Sequence, residues 1–236
     1  MLEERNYLVS PAAHAEQELI RAILDGEYPP GTSLPNERSL SRELGITRPT
    51  LREALKRMER DGWIRIRHGK ATLVNDFWVD GGLNVLSSMT MFRDSLPPDF
   101  VDHLLESRIA IAPHYAELAV QRNGREVAEF ASKHSVIALD SREISRFDWQ
   151  LHHRLATLSG NPIYTFIING FRRLYMHLAT GYFQQHEARR ISLQFYRELE
   201  RIAREGQAQR AKELTLEVMR RSRELWRSLQ QGGRDP

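Results

Sequence analysis

The chain has 236 residues, 41% hydrophobic and 28% charged, a composition typical of one large or two ordinary globular domains. It contains no cysteine, which excludes disulfides, thiol catalysis and cysteine-based zinc sites. No apolar run approaches the roughly 18 residues of a membrane span, and residues 1–10 lack the apolar core of a signal peptide. We therefore expect a cytoplasmic protein without a membrane partner.

Positive charge is concentrated in one part of the sequence. The formal net charge is only +3, but residues 38–70 contain ten Lys and Arg against four Asp and Glu. Residues 1–37 have the opposite balance, with two basic and seven acidic residues. A local basic stretch is typical of a nucleic-acid contact, although charge alone is equally compatible with a solvated helix face.

Three short helices are predicted before residue 63. Ser10, followed by proline, caps the first helix, which ends at Gly26. Asn36 is placed to cap the second helix and Thr47 the third, with a glycine between them that ends the second. The third helix has a buried stripe at helical spacing that comprises Leu51, Ala54, Leu55 and Met58.

A β-hairpin is predicted directly after the third helix. Ile64 and Ile66 alternate with arginines, as in a half-buried strand, and residues 71–74 return as its partner. At the tip, Gly69 allows the backbone to approach DNA closely, Lys70 supplies charge, and His68 is a donor that fits the minor groove. Two helices joined by a tight turn and followed by a basic hairpin predict a winged helix-turn-helix, which inserts a helix into the major groove of DNA.

The first turns of the third helix carry side chains suited to reading DNA. Arg48 and Arg52 lie one turn apart and off the buried stripe, and arginine is suited to bidentate contact with guanine. Thr47 and Thr50 are short donors suited to phosphates at a helix N-terminus. Arg38, early in the second helix, is placed to reach a phosphate or a base.

From residue 83 onward the patterns are helical and no convincing strand is found. They predict an all-α bundle of about seven helices, covering residues 83–93, 98–121, 124–139, 143–158, 162–184, 187–205 and 207–230. The fold prediction is therefore mainly α with a small β wing. We predict a DNA-binding domain over residues 1–76, a linker over 77–82, a helical ligand-binding domain over 83–231 and a frayed tail over 232–236.

Residues 29–75, PPGTSLPNERSLSRELGITRPTLREALKRMERDGWIRIRHGKATLVN, resemble the GntR superfamily of bacterial transcription factors. The wing DGWIRIRHGKATLVNDFW and the later segment SGNPIYTFIINGFRRLYMHLATGYF resemble its FadR branch, and the similarity extends over nearly the whole chain. The resemblance implies a homodimer that represses fatty-acid degradation genes, activates unsaturated fatty-acid synthesis genes and binds a palindromic double-stranded operator. Long-chain acyl-CoA would be the effector that releases DNA, and no cofactor is required.

The resemblance also implies functional residues in both domains. The DNA contacts of the branch fall here on Arg38, Thr47, Arg48, Thr50, Arg52, His68, Gly69 and Lys70. Its acyl-CoA contacts fall on Arg108, Tyr175, Tyr182, Tyr196, Ser222 and Trp226. Tyr175 and Tyr182 are seven residues apart and share a helix face, although a tyrosine stripe by itself is more often core than pocket. Pro49 stands where the best-known members have threonine, and Met219 where they have a glycine that lets the ligand approach the backbone.

An alternative ligand chemistry is suggested by Asp148 and His152, four residues apart on one helix face, as metal ligands often are. Many relatives with a similar helical domain add two later histidines, but the corresponding positions here are Tyr196 and Val218. We therefore predict no metal site and interpret the pair as an ion pair on the helix surface. A regulator that senses another small carboxylate or a metal-bound ligand remains the alternative function. An enzyme using Asp148, His152 and His153 as acids and bases is a third hypothesis, but no nucleophile motif accompanies them, so we predict no enzyme.

Overall fold

The computed structural model describes residues 10–67, 69–89, 91–92, 95–136 and 140–232. In this part of the chain there are eleven α-helices and one two-stranded antiparallel sheet, so the prediction of a mainly helical fold with a small wing is confirmed. The residue contacts divide the chain into two compact units, Met1–Leu96 and Pro97–Pro236.

The first unit contains five helices and the sheet, in the order α1 Pro11–Leu24, α2 Glu37–Glu43, α3 Arg48–Asp61, β1 Ile64–Arg65, β2 Leu73–Val74, α4 Phe77–Asp80 and α5 Leu83–Met89. The three predicted caps are confirmed, because Ser10, Asn36 and Thr47 each accept a hydrogen bond from a backbone N–H three residues later. The predicted stripe of α3 is buried and α3 packs against α1. These helices hold the exposed face of α3 in place.

The wing continues directly from α3. Gly62 ends the helix with φ +99°, and β1 then pairs with β2 in antiparallel register, Ile64 opposite Val74. Residues 31–34 add backbone hydrogen bonds to the other side of β2. The Glu59 carboxylate accepts a hydrogen bond from the backbone N–H of Ile66 at 2.7 Å, which ties the wing to α3. Phe77, in the segment predicted as a linker, is buried with its ring 5.1 Å from that of Trp63.

The described part of the second unit is a bundle of six helices: α6 Phe100–Ala131, α7 Ser141–Leu158, α8 Pro162–Gly170, α9 Arg172–Tyr182, α10 His186–Arg204 and α11 Ala208–Gly232, with a 3₁₀ turn at Ser132–Val136. The central core lies between α6, α7, α10 and α11. None of the helices in the described ranges combines the length and apolar character needed to cross a bilayer.

One predicted helix boundary in this unit is confirmed and another is wrong. The break predicted between residues 98–121 and 124–139 is a kink inside α6, where Asn123 has a non-helical backbone (φ −143°, ψ 40°) and its side-chain amide donates to the Leu158 carbonyl at 2.8 Å. A Cβ at Gly124 would lie 2.8 Å from the Ala203 carbonyl oxygen, so glycine there allows α10 to approach α6. The single helix predicted over 162–184 is divided at Phe171 into α8 and α9.

Candidate functional site

The start of α3 presents the predicted DNA-reading residues on the surface. Arg48 is exposed on the first turn, and Thr47 caps the helix through the backbone N–H of Thr50. The two threonine hydroxyls lie 2.8 Å apart, so one donates to the other in the protein without DNA. The exposed Arg38 lies on α2. Among the described residues neither Arg38 nor Arg48 has an ion-pair partner, which leaves both guanidinium groups available to phosphates or bases.

Arg52 differs from the other two arginines because it already has an acidic partner. Its Nε lies 2.8 Å from Oε2 of Glu37, and the two side chains are 63% and 38% exposed. Such an exposed pair contributes at most about 1 kcal/mol, so DNA can replace the carboxylate. The pair also shows that the beginning of α2 lies beside α3. Sequence patterns did not indicate Glu37, because the contact depends on how the two helices cross.

The described part of the wing tip has the predicted character. Gly69 has φ +66° and no atom would lie within 4 Å of an added Cβ, so its backbone faces open space. Lys70 is exposed, and its backbone N–H donates to the Arg67 carbonyl at 3.2 Å to close the turn. His68, predicted as a minor-groove donor, lies outside the described residues. The tip therefore presents a cation and an accessible backbone.

A cavity of about 170 Å³ lies between α6, α7, α9 and α11 in the second unit. A cavity of roughly 150 Å³ accommodates benzene, so this one has room for an apolar group of several carbons. Five of the six predicted ligand residues belong to its wall: Arg108, Tyr175, Tyr182, Ser222 and Trp226. Most of the remaining wall is aliphatic or aromatic, and Met219 is part of it, buried at 4% exposure.

Tyr196, the sixth predicted ligand residue, does not line the cavity. It is fully buried, and its hydroxyl donates to Oδ1 of Asp148 at 2.8 Å. Its role as a direct ligand contact is therefore not supported by the geometry. It instead helps to hold a buried carboxylate that does belong to the cavity wall.

Asp148 is the centre of this buried polar cluster. It also accepts a short hydrogen bond from the Tyr175 hydroxyl, and Nη2 of Arg108 lies 3.4 Å from its Oδ2. Burial opposes ionisation, but the neighbouring His152 and Arg108, together with the two phenol donors, hold the pKa of Asp148 below its ordinary value. The cluster is therefore built around an ionised carboxylate that orients two side chains of the cavity wall, Arg108 and Tyr175, and Tyr196 behind them.

His152 completes the cluster from the next turn of α7. Its Nδ1 lies 2.9 Å from the Tyr115 hydroxyl, and its Nε2 lies 3.9 Å from Oδ1 of Asp148. Burial, reinforced by Arg108, lowers the pKa of His152 to about 3, so the ring is neutral at pH 7. Asp148 and His152 are 5% and 3% exposed, so their interpretation as an ion pair on the helix surface is wrong. The i, i+4 spacing was visible in the sequence, but the facing helices that bury the pair were not.

The two positions considered for further metal ligands have other roles. Tyr196 donates to Asp148, and Val218 is a buried apolar part of the cavity wall. Within the ranges that the structure describes, no three His, Asp or Glu side chains are grouped as metal ligands would be.

An ion-pair cluster fastens α11, which carries Ser222 and Trp226, to the start of α6. Asp102 accepts hydrogen bonds from Arg223 and Arg227 at 2.7–2.9 Å. These donors, that of Arg223 first, lower the pKa of Asp102. The part of the cavity wall that α11 forms is thus held against α6 by ion pairs as well as by apolar packing.

Comparison with known proteins gives matches over most of the chain. Residues 11–74 match the model of the bacterial regulatory proteins of the gntR family, and residues 75–232 match the FadR C-terminal domain. A fatty acid metabolism regulator protein of Shewanella pealeana is 42% identical over 193 residues, covering 82% of this chain and 81% of that protein. The protein of the same name from Shewanella frigidimarina is 41% identical over 195 residues, covering 83% and 82%. A solved structure of Lar, which controls expression of the agr system of Listeria monocytogenes, is 16% identical with a TM-score of 0.50, and the match covers 91% of this chain and 95% of Lar. At this identity the two proteins share only the fold.

Proposed function

Since the chain belongs to the GntR family of bacterial regulatory proteins and carries a FadR C-terminal domain, we propose that it is a homodimeric transcription regulator of fatty acid metabolism whose effector is a long-chain acyl-CoA. It represses fatty-acid degradation genes and activates genes of unsaturated fatty-acid synthesis. Regulator families match residues 11–232, so the chain is a regulator and not an enzyme. As a DNA-binding protein it acts in the cytoplasm, where the bacterial chromosome lies.

The observation that carries the proposal for the effector is the composition of the cavity. Apolar side chains of several helices surround it, as a fatty chain requires, and Arg108, Tyr175 and Tyr182 supply polar groups at its wall. A small carboxylate as effector would need a cation without an anionic partner. The only arginine in the described cavity wall is Arg108, which already faces Asp148 at 3.4 Å. The cavity therefore favours an acyl chain over a small carboxylate.

For DNA binding, the supporting observation is that Arg38 and Arg48, near the exposed start of α3, have no ion-pair partner in the described part of the chain. Each protomer presents one α3 to one half of a palindromic operator, because the two-fold symmetry of a dimer matches that of the DNA. Acyl-CoA releases the DNA by binding more tightly to the arrangement of the dimer that does not fit the operator.

Selection of bound duplexes from a random pool, followed by fluorescence-anisotropy titration, tests the proposal. We expect an enriched palindrome that the protein releases on addition of oleoyl-CoA, but not of oleate or coenzyme A at the same concentration. Arg142→Ala is a matched control for arginine variants, because Arg142 is exposed on α7, outside both sites. Failure to enrich any palindrome at low salt would contradict DNA reading, and retention of DNA at saturating oleoyl-CoA would contradict the effector.

A further inference from the structure

One ring nitrogen of His152 has no hydrogen-bond partner among the residues that the structure describes. The side chain is 4% exposed and belongs to the cavity wall. Its Nε2 is buried without a partner, and the nearest oxygen of Asp148, at 3.9 Å, is too distant for a hydrogen bond. An unpaired polar atom in a protein interior is unfavourable, and beside a cavity a ligand atom can provide the missing partner.

The hydrogen bond on the other side of the ring decides which nitrogen carries the proton. Burial raises the pKa of Tyr115, so its hydroxyl keeps its proton and needs an acceptor. Among the residues described, the acceptor is Nδ1 of His152, at 2.9 Å. A neutral imidazole that accepts at Nδ1 carries its proton at Nε2. His152 therefore presents an N–H donor, and the missing partner is an acceptor.

The charges around the ring select the kind of acceptor. Asp148 is ionised, and its charge is balanced by Arg108 at 3.4 Å. A carboxylate placed against Nε2 would be close to the Asp148 carboxylate, and this repulsion would oppose its binding. A carbonyl or hydroxyl oxygen accepts the same hydrogen bond without adding a second negative charge.

We infer that the cavity recognises an uncharged oxygen atom of its acyl ligand, and that His152 is the specificity residue that donates a hydrogen bond to it. This inference rests on the proposed acyl-CoA effector and specifies which acyl ligands bind best. The oxygen has two possible sources with the same chemistry, the thioester carbonyl of an ordinary acyl-CoA or a hydroxyl group on the chain.

Calorimetry with the full-length protein and three probes separates these sources. The probes are dodecanoyl-CoA, its thioether analogue S-dodecyl-CoA, which has no carbonyl, and 3-hydroxydodecanoyl-CoA. If the thioester is recognised, dodecanoyl-CoA binds about tenfold more tightly than the thioether, as expected for one hydrogen bond to a buried donor. If a hydroxyl group on the acyl chain is recognised, 3-hydroxydodecanoyl-CoA binds about tenfold more tightly than dodecanoyl-CoA.

His152→Phe removes the donor but keeps an aromatic ring beside Phe195, whose ring lies 5.9 Å away and parallel. We expect this variant to lose the preference for the oxygen-bearing probe. His152→Gln keeps a donor and should restore part of the preference. The control is His153→Phe, because His153 is only half-buried and lines a different surface beside Trp149. That variant should retain the preference fully.

An equal preference in the wild type and in His152→Phe would overturn the inference while leaving the acyl-CoA effector intact. Failure of the wild type to bind any of the three probes would instead overturn the proposed effector, and the inference with it. Long-range ¹H–¹⁵N spectra of the wild type provide a second measurement that needs no variant. They should show a ring protonated only at Nε2, whose signal moves with the oxygen-bearing probe but not with the thioether. A ring protonated at Nδ1 would also overturn the inference.

Discussion

Acid should destabilise this protein through His152, and His152→Phe should remove that effect. In the unfolded chain the imidazole titrates near its ordinary pKa of 6.5, whereas burial lowers the pKa in the folded protein to about 3. Between these values the unfolded state binds a proton that the folded state does not, so stability falls as the pH falls. The loss approaches about 1.4 kcal/mol for each pH unit below the unfolded pKa, or about 2 kcal/mol between pH 7.5 and 5.0.

Urea unfolding of the wild type, His152→Phe and His153→Phe at pH 7.5, 6.0 and 5.0 measures this contribution. Groups that do not contact residue 152 titrate alike in the wild type and in His152→Phe, so their effects cancel in the difference between the two. At pH 7.5 the phenylalanine variant loses the acceptor of the Tyr115 hydroxyl as well as the unpaired N–H, so the difference from the wild type at this pH serves as the reference. The stability of the variant relative to the wild type should then rise by about 2 kcal/mol at pH 5.0. A difference that does not change with pH would refute the assignment of His152 as a buried neutral ring.

Three further predictions concern the two sites. Arg48→Ala should reduce the discrimination between operator and scrambled DNA by about 1–3 kcal/mol in anisotropy titrations, whereas Lys70→Ala should weaken binding to both duplexes alike. Equal losses for both variants on both duplexes would contradict these roles. Asp148→Asn should lower the free energy of unfolding by about 3–5 kcal/mol in denaturant titrations, because it leaves Arg108 without its anion. A change below about 0.5 kcal/mol, which is typical of a surface site, would contradict the buried cluster. Met219→Ala should enlarge the cavity and favour longer acyl chains by about 0.8 kcal/mol per accommodated methylene, and an unchanged chain-length preference by calorimetry would count against this position.

The DNA-binding unit was largely predictable because its signals are local. The caps Ser10, Asn36 and Thr47 each act on an N–H three residues away, and the buried stripe of α3 follows directly from helical spacing. What the sequence did not indicate was the pairing of Arg52 with Glu37, fifteen residues earlier. That contact depends on the crossing of α2 and α3, which no local pattern specifies.

The helical unit was predictable as a set of helices, but its division at Phe171 and its polar interior were not. Asn123-Gly124 was correctly predicted as a break, which in the structure is a kink that the Leu158 carbonyl stabilises from another helix. Asp148 and His152 showed helical spacing, but their burial depends on tyrosines of three other helices. The family resemblance pointed to five residues that line the cavity and to Tyr196, which lies behind the wall and donates to Asp148.

The central claim is that the ligand of the helical unit controls the affinity of α3 for DNA. Coupling between two binding sites is reciprocal, so the operator must weaken acyl-CoA binding by the same factor by which acyl-CoA weakens operator binding. The most direct test measures the affinity for oleoyl-CoA by calorimetry with and without saturating operator duplex. We predict a loss of about 5- to 150-fold in the presence of operator, equal to the loss of DNA affinity measured with saturating ligand. Identical oleoyl-CoA affinities with and without the duplex would contradict the claim.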